Sequence, residues 1–259
     1  MENLYLNKAK ERLLAGEKLS AGWVQLGSSI ASEIMADAGF DMLVLDGEHA
    51  PLDATNMVTL LQAMKGVPSM VRAPWNDFVT IKRLLDIGVM GVHIPYVNTA
   101  EESEAAVKAC KYPPEGIRGI AGSVRAAGFG TNPGEYLQRV NDQLLIMVAL
   151  ETPKSVENLD AMMEVPGVDG IFIGPMDLAT THGYFGNPAH PDVQKIIHGI
   201  EEKVVAKGKL LATVAPSAAA AQKLYDRGYS YVIFASDAVT LRIAMCEAVK
   251  EFKENNKAK

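Results

Sequence analysis

Eight times along this chain a short apolar run is followed by a longer helical pattern. The runs are Gly22–Leu26, Met42–Leu45, Ser69–Arg72, Gly91–Ile94, Leu144–Leu150, Gly170–Ile173, Lys209–Thr213 and Tyr231–Ala235. The helical patterns that follow them are Ser29–Ala38, Ala54–Met64, Phe78–Leu85, Thr99–Cys110, Ser155–Met163, Asp192–Lys207, Ala218–Arg227 and Ala238–Phe252. The runs are continuously apolar instead of alternating with polar residues. That pattern marks strands buried on both faces of a parallel sheet. Parallel neighbours need long crossovers, and the helices supply them. Eight units with no linker between them point to a closed (β/α)8 TIM barrel. The 259 residues match the roughly 250 that such a barrel takes, or about 32 per unit. Residues 1–259 therefore read as one barrel domain. A doubly wound open sheet is the alternative, and no Gly-x-Gly-x-x-Gly follows the first run to support it.

Charge and cysteine content narrow the partners. With 25 Lys+Arg against 31 Asp+Glu, the net charge is −6, which does not favour a nucleic-acid polyanion. The basic tail Lys250–Lys259 is diluted by Glu251 and Glu254 and reads as a solvated helix end. No apolar run approaches the ~18 residues of a membrane span. The stretch Met1–Lys18 is polar and lacks the apolar block of a secretory signal. Cys110 and Cys246 are too few for a disulfide framework or a zinc cluster, and both read as small buried or half-buried apolar residues on helices. The expected location is the reducing cytoplasm.

Barrel chemistry sits at the C-terminal ends of the strands. The polar residues there are Asp46-Gly47-Glu48-His49, Arg72, Glu151, Gly174-Pro175-Met176-Asp177 and Ser236-Asp237. Two longer interruptions, Lys111–Gly134 and Thr180–His190, are assigned to the same rim. Glu151 and Asp177 end different strands and suit an oxygen-preferring Mg²⁺ or Mn²⁺; helix capping is the other reading of these acids. Arg72 suits a bidentate grip on a carboxylate, or a structural ion pair across the mouth. His49 suits a general base, or a loop histidine bonded to backbone. His93 lies within a strand and reads as buried, and His190 as a helix-entry residue. Asp86 closes a helix, where an acid opposes the macrodipole, so another partner such as a histidine is expected. After Gly174-Pro175, the backbone N–H groups of Met176 and Asp177 are placed to receive a carboxylate or enolate oxygen.

Four stretches carry a family resemblance: Ala38–Pro51 (AGFDMLVLDGEHAP), Ile81–Gly88 (IKRLLDIG), Tyr112–Gly119 (YPPEGIRG) and Gly167–Leu178 (GVDGIFIGPMDL). Together they resemble the metal-dependent class II pyruvate aldolases of the 4-hydroxy-2-oxoheptanedioate and 2-dehydro-3-deoxyglucarate aldolase family. The likeness runs from about Gly22 to the last helix. It implies a hexamer, or trimer of dimers, with the C-terminal helix exchanged between subunits. It also implies a divalent metal (Mg²⁺ or Mn²⁺, with Co²⁺ also in range) held by Glu151 and Asp177. A 2-oxo acid would chelate that metal and split to pyruvate and an aldehyde. In that scheme Arg72 stabilises the enolate, His49 takes the proton of the C4 hydroxyl, Asp86 raises the basicity of that histidine, and Asp46 orients the site. The backbone at Gly174, Pro175, Met176 and Asp177 contacts substrate. No Schiff-base lysine is required, and no lysine stands at these strand ends.

Two positions depart from the family pattern. Ala149 stands where the family commonly has a substrate-contacting Gln, and Met176 is bulkier than the usual small residue. Ser123 and Arg125 occupy family-like positions, with Arg125 a candidate for a distal carboxylate. The substitution at Ala149 keeps two other readings open. One is an oxaloacetate decarboxylase or a related enolate-forming synthase. The other is a non-catalytic barrel that binds a 2-oxo acid.

Overall fold

The computed structural model describes residues 5–256. Its strands are β1 Leu19–Val24, β2 Met42–Asp46, β3 Ser69–Arg72, β4 Gly91–Ile94, β5 Leu145–Leu150, β6 Gly170–Ile173, β7 Leu210–Val214 and β8 Tyr231–Ser236. All pair in parallel with their sequence neighbours, and β8 closes onto β1. The helices are α1 Lys8–Leu14, α2 Ser29–Asp37, α3 Ala54–Ala63, α4 Phe78–Asp86, α5 Ala100–Cys110, α6 Pro133–Gln143, α7 Pro153–Glu157, α8 Leu159–Glu164, α9 Pro175–Thr181, α10 Pro191–Ala206, α11 Ala218–Tyr225 and α12 Asp237–Asn256. The chain is a (β/α)8 TIM barrel, as the alternation of apolar runs requires. No helix among the described residues is long and apolar enough to cross a membrane.

The apolar runs divide their side chains between two cores. Ala21, Trp23, Met42, Val44, Met70, Met147, Phe172, Ala212 and Tyr231 fill the lumen. Val24, Leu43, Leu45, Val71, Val92, Ile146, Val148, Ile171 and Val232 face the helices. His93 lies inside the barrel, as expected, with Nε2 2.7 Å from the Tyr231 hydroxyl; burial pushes its pKa down to about 3, so it stays neutral. The N-terminal end of the barrel is closed by α1, whose Ala9 and Leu13 join the lumen core. Local signals start the helices that lead back down: Ser28, Asp53, Asp77, Thr99, Thr152 and Ser217 each cap a helix with a side-chain oxygen.

Several expectations need correction. The segment Lys111–Gly134 is not on the rim that holds the acids. It follows α5 and leads through a short 3₁₀ turn, Arg125–Gly130, into α6 and then β5. A segment that leaves a helix and enters a strand lies at the N-terminal end of a barrel. Arg125 is there too, donating from Nη1 to Ile87 O at 2.6 Å, just past the end of α4. Asp86 ends α4 at that same face. Its partner within the chain is Arg118 (Nη2 to Oδ1, 2.7 Å), not a histidine. Arg118 also leans on the Tyr112 ring, 4.5 Å from its centroid. The expected helix Ser155–Met163 is two helices, α7 and α8, that break at Asn158.

Cys110 is buried, whereas Cys246 is exposed on α12. That helix is exposed along most of its length, with Val239, Leu241, Ile243, Met245, Val249 and Phe252 all presented to solvent. His190 caps α10 as expected, accepting from the Asp192 N–H. Residues Met1–Leu4 and the last three residues of the basic tail lie outside the described residues.

Candidate active site

Asp46, the last residue of β2, organises the C-terminal mouth. It is fully buried and accepts from five donors. Oδ1 takes Arg72 Nε (3.0 Å) and the backbone N–H groups of Glu48 (3.2 Å) and His49 (3.1 Å). Oδ2 takes Arg72 Nη2 (2.8 Å) and Gln25 Nε2 (2.9 Å). Burial alone would push the Asp46 carboxyl up, but the hydrogen bonds and charge of Arg72, with the Gln25 amide, hold it below its ordinary value. Parallel register places Asp46 beside Arg72 on adjacent strands. The turn that follows needs glycine at position 47, because a Cβ there would stand 2.7 Å from the Arg72 carbonyl oxygen.

Arg72 is held on three sides. Beyond the fork onto Asp46, Nη1 lies 3.2 Å from Glu48 Oε2, and the guanidinium sits over Trp23, 4.4 Å from the ring centroid. Of the two readings of Arg72, the structure shows the ion pair across the mouth. The side chain of His49 is mostly exposed, with Nε2 3.7 Å from Glu48 Oε2.

Three carboxylates, Glu48, Glu151 and Asp177, act on one another at this mouth. Glu151 directly follows β5 and is buried. Its Oε2 accepts the Tyr96 N–H at 2.9 Å, and the Ser155 hydroxyl steadies its backbone. Burial pushes Glu151 up to about 7, and the charges of Glu48 and Asp177 push in the same direction. Asp177 lies in the first turn of α9 and Gly174 is the capping residue, so Asp177 is not the cap of that helix. Glu48 is raised by burial against the pull of Arg72 and His49, with Asp46 and Asp177 adding to the rise. Its Oε2 is buried and makes no hydrogen bond.

This is a pocket of uncompensated negative charge, and its donor set is all oxygen. At Gly174 a Cβ would stand 2.6 Å from Glu151 Oε1, so the absent side chain is what leaves room at that oxygen. Glu151 and Asp177 thus fit a hard divalent cation of the Mg²⁺ or Mn²⁺ type. Among the described residues no group of three or more His, Cys, Asp or Glu side chains is arranged to hold a metal alone. Substrate oxygens and water would have to complete the shell.

The structure gathers Asp46, His49, Arg72, Ala149, Glu151, Gly174, Pro175, Met176 and Asp177 at the strand C-termini of one chain. It does not bring Asp86 or Arg125 there. Two residues to which the sequence alone assigned no role belong to it. Glu48 sits between Arg72 and His49, and its signal was the neighbouring DGEH turn. Tyr96 follows β4 after Pro95, near a strand end like the others. Its φ is +54°, a conformation that costs a bulky residue on the order of 1–3 kcal/mol and clusters at functional sites.

Comparison with known proteins now bears on this geometry. The sequence profile of the HpcH/HpaI aldolase/citrate lyase family matches residues 20–244. A curated relative from Enterobacter sp. (strain 638), named 5-keto-4-deoxy-D-glucarate aldolase, is 44% identical over 254 residues, covering 97% of this chain and 99% of that protein. The crystal structure of an HpcH/HpaI aldolase/citrate lyase family protein from Burkholderia cenocepacia J2315 superposes with a TM-score of 0.91 at 34% identity, covering 95% of this chain and 99% of that one. That of an HpcH/HpaI aldolase from Desulfitobacterium hafniense DCB-2 does so at 0.87 and 32%, covering 95% and 96%. With the profile spanning nearly all of the barrel and the relative nearly all of the chain, this protein belongs to the HpcH/HpaI aldolase/citrate lyase family.

Proposed function

We propose that this protein is a divalent-metal-dependent aldolase that reversibly cleaves a 4-hydroxy-2-oxo acid to pyruvate and an aldehyde. The observation that carries the reading is the set of three mutually acting carboxylates, Glu48, Glu151 and Asp177, at a barrel mouth that also holds one clamped arginine, Arg72. Glu151 and Asp177 would hold the metal, with Mg²⁺ or Mn²⁺ as the first candidates. Bound there, the ion would supply Lewis-acid stabilisation to charge on the 2-oxo oxygen.

The chain's own groups account for the rest. Breaking C3–C4 leaves negative charge on the pyruvate fragment. Of the five N–H groups of an arginine, Arg72 donates those at Nε and one at Nη2 to Asp46, leaving three for that charge. Because Asp46 and Trp23 fix the guanidinium beforehand, little reorganisation is needed as the charge develops. The first-turn N–H groups of Met176 and Asp177 have no intrahelical acceptor and suit the substrate carboxylate. His49 takes the proton from the C4 hydroxyl, and its exposed ring is free to meet that group or a water.

The family roles of Asp86 and Arg125 require a second subunit, since both lie at the far end of their own barrel. The exposed apolar residues of α12 favour such an assembly, a hexamer with this helix exchanged. Two free cysteines fit a cytoplasmic setting.

The relatives' name makes 5-keto-4-deoxy-D-glucarate the first substrate to test. Ala149 favours a second reading, because a substrate-contacting amide is missing there: turnover weighted toward oxaloacetate decarboxylation. Purified protein with Mn²⁺ or Mg²⁺, pyruvate and a panel of aldehydes separates the readings. The aldolase reading expects adducts that EDTA abolishes and His49→Ala suppresses. Absence of any adduct, with oxaloacetate still decarboxylated, replaces it with the second. Metal-dependent 2-oxo acid binding without turnover leaves only a binding barrel.

A further inference from the structure

The carboxylates and Arg72 account for the pyruvate half of a substrate and His49 for the C4 hydroxyl, which leaves the aldehyde-derived chain beyond C4 without a partner. Ala149 offers it no hydrogen bond. The wall beside them is aromatic. Trp75, in the loop after β3, stacks on Tyr96, in the loop after β4, with ring centroids 5.8 Å apart and planes at 29°. Trp75 is 56% exposed, so this pair lines the open mouth and is not part of the core.

Tyr96 is tied to the reaction centre through its backbone, whose N–H holds Glu151 Oε2. Its carbonyl accepts from Asn98 Nδ2 at 2.7 Å, and Asn98 in turn pairs with the Thr152 hydroxyl. These contacts fix the residue in its left-handed conformation. Glycine would satisfy every one of those backbone bonds at lower conformational cost; what the tyrosine adds is the side chain. Burial pushes its phenol up, and the charges of Asp177, Glu151 and Glu48 add to the rise. The hydroxyl makes no hydrogen bond within the protein among the described residues, so it is available to a ligand.

We propose that Tyr96 is a specificity-determining residue for the aldehyde half of the substrate. Its ring, backed by Trp75, is the wall along which the aldehyde-derived chain lies, and its hydroxyl hydrogen-bonds a hydroxyl on that chain. The ligand class is a hydroxyaldehyde, in preference to an unsubstituted aldehyde of equal length. This inference rests on the aldolase reading above and assigns Tyr96 no part in holding charge on the pyruvate fragment.

The test compares two three-carbon aldehydes, glyceraldehyde and propionaldehyde, as acceptors for pyruvate in the metal-loaded enzyme. The readout is the ratio of their kcat/KM values, in which any change in the shared pyruvate half cancels. Tyr96→Phe keeps the ring and the backbone and removes the hydroxyl. We expect the glyceraldehyde-to-propionaldehyde ratio to fall about tenfold, the worth of one neutral hydrogen bond, mainly through the KM for glyceraldehyde. Trp75→Ala, which removes the support of the ring, should shift the ratio in the same direction. A ratio within twofold of wild type in Tyr96→Phe overturns the inference and leaves the aldolase reading standing. A wild-type enzyme that forms no adduct with either aldehyde overturns the aldolase reading, and this inference with it.

Discussion

Replacing Asp46 by Asn changes one atom at the centre of the site. As a carboxylate, Asp46 accepts from Arg72 twice, from Gln25 and from two backbone N–H groups. An asparagine that keeps its oxygen toward Arg72 Nε and the turn must point its NH₂ at Arg72 Nη2 and Gln25 Nε2. Two hydrogen bonds then become donor–donor contacts, one of them charge-assisted, and the half-buried guanidinium keeps only Glu48 as counter-charge. The flipped asparagine fares worse, because it turns its NH₂ toward three donors. Breaking a buried ion pair on one side costs roughly 3–5 kcal/mol. At about 3 °C per kcal/mol for a chain of this size, Asp46→Asn should melt about 12 °C below wild type at pH 7. The pH dependence has a definite sign. The folded-state pKa of Asp46 is depressed, so its contribution is present above the unfolded value near 3.9 and is lost as pH falls through the folded value. The gap between wild type and variant should hold from pH 8 to about pH 5 and narrow only below about pH 4. Scanning calorimetry across that range measures it. A melting point within 3 °C of wild type at pH 7 would refute the view that Asp46 organises the mouth, as would a gap that narrows already near neutrality.

Other consequences are equally specific. Gly174→Ala drives a methyl group against Glu151 Oε1; Mn²⁺ affinity by titration calorimetry should drop roughly 10–100-fold, and unchanged affinity would remove Gly174 from the account. In metal-free protein, Glu151 near 7 takes up its proton in the folded state before the unfolded one. Its stabilising contribution is therefore full below about 4.5 and lost as pH rises toward about 7; Glu151→Gln should erase that component of the melting curve. For the same reason Mn²⁺ affinity should fall about tenfold per pH unit below about 7, and a flat profile would exclude a proton-displacing ligand. Charging the exposed face of α12 with Val249→Asp and Phe252→Asp should lower the oligomeric state seen by analytical ultracentrifugation, whereas an unaltered assembly would place the subunit contacts elsewhere.

The barrel was legible because its strands are continuous apolar runs, and chain order alone then fixes which residues share a rim. That reasoning found Asp46, Arg72, Glu151 and Asp177. It failed where length stood in for order. The Lys111–Gly134 segment looked functional because it is long, yet a segment between a helix and a strand must lie at the opposite end, and Arg125 goes with it. Asp86 was correctly read as needing a partner, but Arg118 lies 32 residues away on a segment with no periodicity to place it. Glu48, named on the rim without a role, and Tyr96, not named at all, were passed over for different reasons. The role of Glu48 depends on an orphaned oxygen, a property of packing. Tyr96 stands just past Pro95, where the strand was taken to end, and its positive φ leaves no trace in residue type.

Exchange of the pyruvate methyl protons for deuterium, followed by NMR, tests the central claim most directly. The claim is that Glu151 and Asp177 hold a divalent ion over which Arg72 stabilises charge on pyruvate. Exchange should proceed with Mn²⁺, stop with EDTA, and be lost in both Glu151→Gln and Arg72→Ala while the variants remain folded. Exchange that is absent with every divalent ion, or that persists undiminished in EDTA and in Glu151→Gln, would contradict it.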